Sequence, residues 1–233
     1  MTTTSLAGPL ARIRQRIDDA ATRSGRRAAD VTLVAVTKGH PFHVVEYARE
    51  AGITDLAENR VESLLERVPR LATDPDVRWH MVGRLQRRKA PEVRGLVHLL
   101  QSLDSVRLAQ RLHRTAGEDD PVLPVLVQVN TSGEDQKAGF SPENVVERVG
   151  EVLELGSLQV EGLMTMAPFT DDEAVLRDTF GGLRRCHEEL DRQLDAYRGK
   201  ILSMGMSNDY EIAIEEGSTM IRLGTALFGE RPR

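Results

Sequence analysis

Residues 31–41 read VTLVAVTKGHP, and this stretch decides the fold. Its first part, 31–38, is β-branched and alternates, as a strand does. The chain then turns through Lys38-Gly39-His40-Pro41. An open, doubly wound sheet that binds dinucleotides carries a Gly-rich fingerprint at this turn. That fingerprint is absent, so the open sheet becomes the alternative and a different arrangement of parallel strands comes forward.

Upstream, Leu6, Leu10, Ile13, Ile17 and Ala21 recur at spacings of three and four and predict an amphipathic helix to about Arg23. Downstream, strand-like and helix-like stretches alternate. The strands are about 53–59, 78–83, 96–103, 124–130, 160–167, 200–206 and 220–229. Helices are expected between them: after Pro41, to about Leu71, a short Arg-rich one after Gly83, one after Asp104 and Ser105, one opened by Ser141-Pro142, a long one over 171–197, and a short one over 209–216. With the first strand this makes eight, each but the last followed by a helix. Alternation implies a parallel sheet with crossovers. Eight units in this length predict a single (β/α)8 TIM barrel, residues 1–233 as one domain, with an extra N-terminal helix.

The net charge of -5 argues against a general nucleic-acid binder. A lone cysteine, Cys186, allows no intrachain disulfide and suits a reducing cytoplasm. No apolar run approaches the roughly 20 residues of a membrane span. The first 20 residues lack the continuous apolar stretch of a signal peptide, so the expected location is cytoplasmic. The six histidines show no metal-ligand spacing, and no metal is expected.

Of 31 cationic residues four are lysines (38, 89, 137 and 200), which leaves 27 arginines. Functional groups in a barrel collect at the C-terminal ends of strands. Lys38 stands at such an end, on the face shared by Thr32, Val34 and Val36. If that face is the interior, the amine is partly desolvated and its pKa falls, which favours attack on an aldehyde. A solvated or carboxylate-paired lysine is the more ordinary explanation of a lone strand-end lysine, and the rarity of lysine in this chain weakens it a little. Ser207, Asn208 and Asp209 precede the short helix after strand seven, with Asn208 and Glu211 at capping-box spacing. Gly224 and Thr225 end strand eight. Barrels frequently bind phosphate at the loops after strands seven and eight. Simple capping is the competing explanation. Arg222 shares a face with Gly224 and either points at a ligand or pairs with a buried carboxylate. In a closed barrel strand one neighbours strand eight, so an amine and a phosphate cradle would lie together. An aldehyde carrying a phosphate suits that geometry. Other candidates are plainer: His80 as a pocket or core histidine, 131–140 as a lid or solvated turn, and Arg84, Arg87, Arg88 and Lys89 as an anion contact or solvated helix face.

The ordered motifs VAVTKGHP, AENRVES, WHMVGRLQRRK, SLDS, VQVNTSGEDQKAGF, EGLMTMAP and LSMGMSNDYEIAIEEGSTMIRLGTALFG run through nearly the whole chain. They resemble the pyridoxal phosphate homeostasis protein family. The resemblance implies a barrel similar to the alanine racemase N-terminal domain, with pyridoxal 5′-phosphate held as a Schiff base on Lys38. It implies phosphate contacts from Ser207, Gly224 and Thr225, an arginine, Arg222, facing the pyridine nitrogen, and a pocket asparagine, Asn59. Thr37-Lys38-Gly39, Leu56-Ala57 and Arg88 depart from the common family pattern while the lysine and asparagine are kept.

An arginine beside the ring nitrogen makes the ring a poorer electron sink. The chain to Arg233 leaves no room for the β domain that completes alanine racemases. The expectation is therefore a monomeric, non-catalytic or very weakly active protein. It would serve free pyridoxal phosphate and amino- and keto-acid homeostasis and could hand the cofactor to apoenzymes. An amino-acid racemase-like enzyme is the rival, and a Schiff-base lyase of sugar phosphates a third reading.

Overall fold

The computed structural model describes residues 6–134 and 138–231. Lys137 and the centre of the 131–140 loop lie outside them. The strands are β1 (Thr32–Val36), β2 (Asp55–Glu58), β3 (Arg78–Met81), β4 (Leu99–Leu103), β5 (Leu123–Gln128), β6 (Leu158–Met164), β7 (Ile201–Ser203) and β8 (Met220–Leu223). They close in chain order, all parallel, with β8 paired back onto β1. Closure excludes the open sheet.

The helices are α1 (Ala7–Arg23), α2 (His43–Glu50), α3 (Val61–Arg67), α4 (Ala90–Val93), α5 (Val106–Arg114), α6 (Val145–Leu153), α7 (Glu173–Gln193), α8 (Tyr210–Glu215) and α9 (Thr225–Phe228). Ser105 caps α5 by accepting from the Leu108 amide at 3.3 Å. Asp172 does the same for α7, from Ala174 at 2.9 Å. Along α1, Leu10, Ile13, Ile17 and Ala21 are buried, and the helix packs against α8 and α9. Each buried Leu or Ile side chain here contributes about 1.5–3 kcal/mol.

Three expectations change. Strand eight stops at Leu223, and 225–228 coil into α9, so the last strand also has a helix. Gly224 is therefore the residue before a helix rather than a strand end. The Asn208–Glu211 capping box is not formed. Asp209 precedes α8 instead, and its Oδ1 accepts from the Met206 amide at 2.6 Å. The long helix is shorter than 171–197 by a few residues at each end.

Two apolar cores follow from the alternation of strand side chains. One lies between sheet and helices. The other fills the barrel: Val34, Val36, Ala57, Leu99, Leu126, Met164 and Met220. Register places Ala57 opposite His80, and His80 opposite Leu99, so His80 also points inward. By the same parity Asp55, Gln101, Ser203 and Arg222 are interior positions.

Candidate functional site

A cavity of about 270 Å³ opens at the C-terminal end of the barrel. Lys38, Ser207, Arg222, Gly224 and Thr225 all line it. The interior face that carries Val34 and Val36 thus continues to Lys38, as the alternation requires.

Lys38 is half-buried, and its Nζ has no hydrogen-bond or ion-pair partner among the described residues. Lys89 pairs with Glu62, and Lys200 is exposed. Burial pushes the Lys38 amine below its ordinary pKa of 10.5, and the charges of Arg231 and Arg222 push it further; Glu58 opposes. The turn that carries it is anchored from below. Arg67 donates to Glu58 Oε1 at 2.6 Å and to the Thr37 carbonyl at 3.1 Å, and also to the His40 carbonyl. Thr37 Oγ1 donates to the same Glu58 oxygen at 2.5 Å. Burial raises the Glu58 carboxyl despite these partners, and its Oε2 is without one among the described residues.

Arg222 is buried beneath the cavity. Its Nη1 donates to Ser203 Oγ at 2.5 Å and its Nη2 to the Thr165 carbonyl at 2.8 Å. Burial pushes it down to about 10, still protonated at neutral pH. No carboxylate among the described residues lies within ion-pair distance of it. Asp209 is the acidic group on the cavity wall, raised by burial against the opposing Met206 amide and Arg222 charge.

The loop after β7 and the start of α9 are tied together, since the Ala226 amide donates to Ser207 Oγ at 3.1 Å. A Cβ on Gly224 would lie 3.2 Å from the Val36 carbonyl, so the backbone here runs unusually close to β1. Glycine lets it do so, and it leaves the backbone open to an oxyanion. These features fit a phosphate-bearing aldehyde: an unpartnered amine, a guanidinium with spare donors, and a bare backbone turn with two hydroxyls.

Other positions fall elsewhere. Asn59 follows β2 but does not line the cavity. Its backbone is instead pressed against Gly83, where a Cβ would meet the Asn59 carbonyl at 2.2 Å. His80 is a core residue, bonded at both ring nitrogens. Tyr210 is buried in the outer core. Arg84 pairs with Asp104 at 3.3 Å, while Arg87 and Arg88 share a separate open groove with Arg107, Arg111 and Arg114. At the ends of the 131–140 loop, Gln128 donates to the Ala138 carbonyl and Asn130 to the Glu134 carbonyl. No group of three or more metal-ligating side chains gathers among the described residues, and no helix there is long and apolar enough to cross a membrane.

Sequence reading missed Arg231 and Ser203. Arg231 reaches the cavity from beyond α9 and presses on Gly39, its Cδ 2.9 Å from where a Cβ would be. Nothing in its neighbours signals this. Ser203 carried a signal: a polar residue on an apolar strand, at the parity of Ile201 and so of the interior.

The model of the alanine racemase N-terminal domain family matches residues 9–232. The pyridoxal phosphate homeostasis protein of Aquifex aeolicus is 40% identical over 222 residues, which cover 95% of this chain and 96% of that one. PipY of Synechococcus elongatus, solved with PLP bound, superposes with a TM-score of 0.81 at 34% identity, covering 91% of this chain and all of that one. An alanine racemase of Clostridium difficile shares the fold, with a TM-score of 0.78 at 18% identity; the match spans 99% of this chain and 58% of the racemase.

Proposed function

The chain belongs to the alanine racemase N-terminal domain family and, within it, to the pyridoxal phosphate homeostasis proteins; from that premise we propose that it binds pyridoxal 5′-phosphate at the barrel mouth and buffers the free cofactor rather than catalysing with it. The observation that carries this reading is the half-buried amine of Lys38, without a partner among the described residues, beside the Ser207, Gly224-Thr225 turn.

When bound, the cofactor supplies an aldehyde carbon and an electron-accepting pyridine ring. Lys38 meets the aldehyde: its lowered pKa raises the share of neutral amine able to attack. Ser207, Gly224 and Thr225 receive the phosphate, with Arg231 adding positive charge at the rim. Arg222 offers only donors. Facing the ring nitrogen, it would favour the unprotonated pyridine and so leave the ring a weak electron sink. Among the described residues Asp209 is the one carboxylate on the cavity wall, and it accepts from the Met206 amide; His40, whose imidazole burial pushes below its ordinary pKa, is the other protonatable group there besides Lys38 and the arginines. Turnover, not the lining alone, separates the reading from a racemase-like enzyme. Asn59, which follows β2 and presses its backbone on Gly83, stands outside the lining residues and is given no cofactor contact in this reading.

The whole of 1–233 acts as one binding domain, as a cytoplasmic monomer, and apoenzymes are the recipients. The test is transfer. Loaded protein is mixed with an apoenzyme, and activation is compared with free cofactor at equal concentration. Delivery at a rate unlike simple release supports the role. Sustained turnover of any amino acid by the wild type, lost in Lys38→Ala, would defeat it.

A further inference from the structure

A polar chain crosses the barrel interior from its N-terminal end to the cavity. Asp55 opens β2, and Arg78, opposite it in register, grips its carboxylate through Nε at 2.8 Å and Nη2 at 2.5 Å. Asp55 Oδ1 lies 3.0 Å from His80 Nε2. His80 Nδ1 lies 2.9 Å from Gln101 Nε2. Gln101 Oε1 is 2.7 Å from Ser203 Oγ, which meets Arg222 Nη1. His80, Gln101, Ser203 and Arg222 are all buried.

With a neutral His80 ring, the direction of every bond follows from what each group can do. A carboxylate accepts and a guanidinium donates. Ser203 therefore accepts from Arg222, and its own hydroxyl proton goes to Gln101 Oε1. That leaves the amide nitrogen of Gln101 facing His80, with Met220 Sδ 3.2 Å away taking its second hydrogen. An amide nitrogen only donates, so His80 Nδ1 accepts. The ring proton then sits on Nε2 and is donated to Asp55. Turning the amide round would set its oxygen against the Nδ1 lone pair. An anchored carboxylate at one end of the barrel thus dictates the hydroxyl orientation that receives Arg222 at the other.

We propose that His80 is a positioning residue for the cofactor, holding Arg222 in place through Gln101 and Ser203. It touches neither the cavity nor the ligand. The inference rests on the reading above, in which Arg222 faces the ring. Its consequence is that ring contact at the mouth is tuned from the Asp55–Arg78 pair at the far end of the barrel.

The decisive measurement is a double-mutant cycle on cofactor affinity, read by the absorption of bound pyridoxal phosphate. His80→Leu and Ser203→Ala are made singly and together, and Gln101→Met enters the same cycle should His80→Leu fold poorly. Each single substitution is expected to weaken binding about tenfold and to shift the absorption band. The double variant is expected to match the singles, because both cut the same chain. Additive losses with an unshifted band would overturn the proposal and leave His80 a packing residue. Independently, 15N spectra of the cofactor-free protein report the His80 tautomer. A proton on Nε2 is expected, and a proton on Nδ1 would break the chain whether or not cofactor binds. Failure of the wild type to bind the cofactor at all, with the Nε2 tautomer intact, would instead sink the binding reading and the proposal with it.

Discussion

Arg67 and Glu58 form a buried ion pair at 2.6 Å, and the same guanidinium holds the carbonyls of Thr37 and His40 on either side of Lys38. The pair thus fixes the turn rather than merely compensating its own burial. Removing one partner strands the other charge in the interior, which costs about 3–5 kcal/mol. Glu58→Ala is expected to lose that much in urea unfolding and to weaken cofactor binding as the turn loosens. An unchanged midpoint would mean the pair contributes nothing net.

Lys38→Arg keeps a charge but cannot form the covalent link. Borohydride treatment of loaded wild type is expected to leave the cofactor on the tryptic peptide containing Lys38, and on no peptide of the variant. Label retained in Lys38→Arg would move the attachment elsewhere.

The depressed amine also makes a statement about stability. A lysine whose folded pKa lies below its unfolded value penalises folding while it is charged. The penalty is full below the folded pKa and fades as pH rises toward 10.5. Cofactor-free Lys38→Ala is therefore expected to melt above wild type at neutral pH, with the gap closing in alkali. A gap that widens with pH would contradict the sign.

Asp55 works in the opposite sense. Burial opposes its ionisation, but the hydrogen bonds from His80 and Arg78 win and hold the carboxyl well below its ordinary value of 3.8. Its contribution is present above the unfolded pKa and is lost as pH falls through the folded one. Acid titration of unfolding is expected to show a loss below about pH 4 that Asp55→Asn lacks, the variant being less stable at neutrality.

Gly224→Ala places a methyl 3.2 Å from the Val36 carbonyl. Backbone must give way, at a cost of about 1–3 kcal/mol, and the phosphate cradle shifts with it. Weakened cofactor binding with Lys38 labelling still possible at high cofactor is the expected result. Wild-type affinity would show that the cradle tolerates a side chain.

The sequence by itself determined the eight alternating units, the order of their strands and the place of Lys38 on the face of Val34 and Val36. Those depend on local periodicity, which a strand cannot hide. It also put Ser207, Arg222, Gly224 and Thr225 at one mouth, because closing the sheet makes β1 and β8 neighbours. It misjudged Asn208, a cap residue no better than its neighbour Asp209, and the end of β8, where the chain coils into α9. Tertiary structure alone decided that Asn59 meets Gly83 instead of the cavity, that Arg231 returns over Gly39, and that Asp55, His80, Gln101 and Ser203 join into one chain. These are contacts between distant strands and segments. They are set by barrel register and by the need of each buried polar group for a partner; parity can mark Ser203 as an interior polar residue, but it does not say which distant residue partners it.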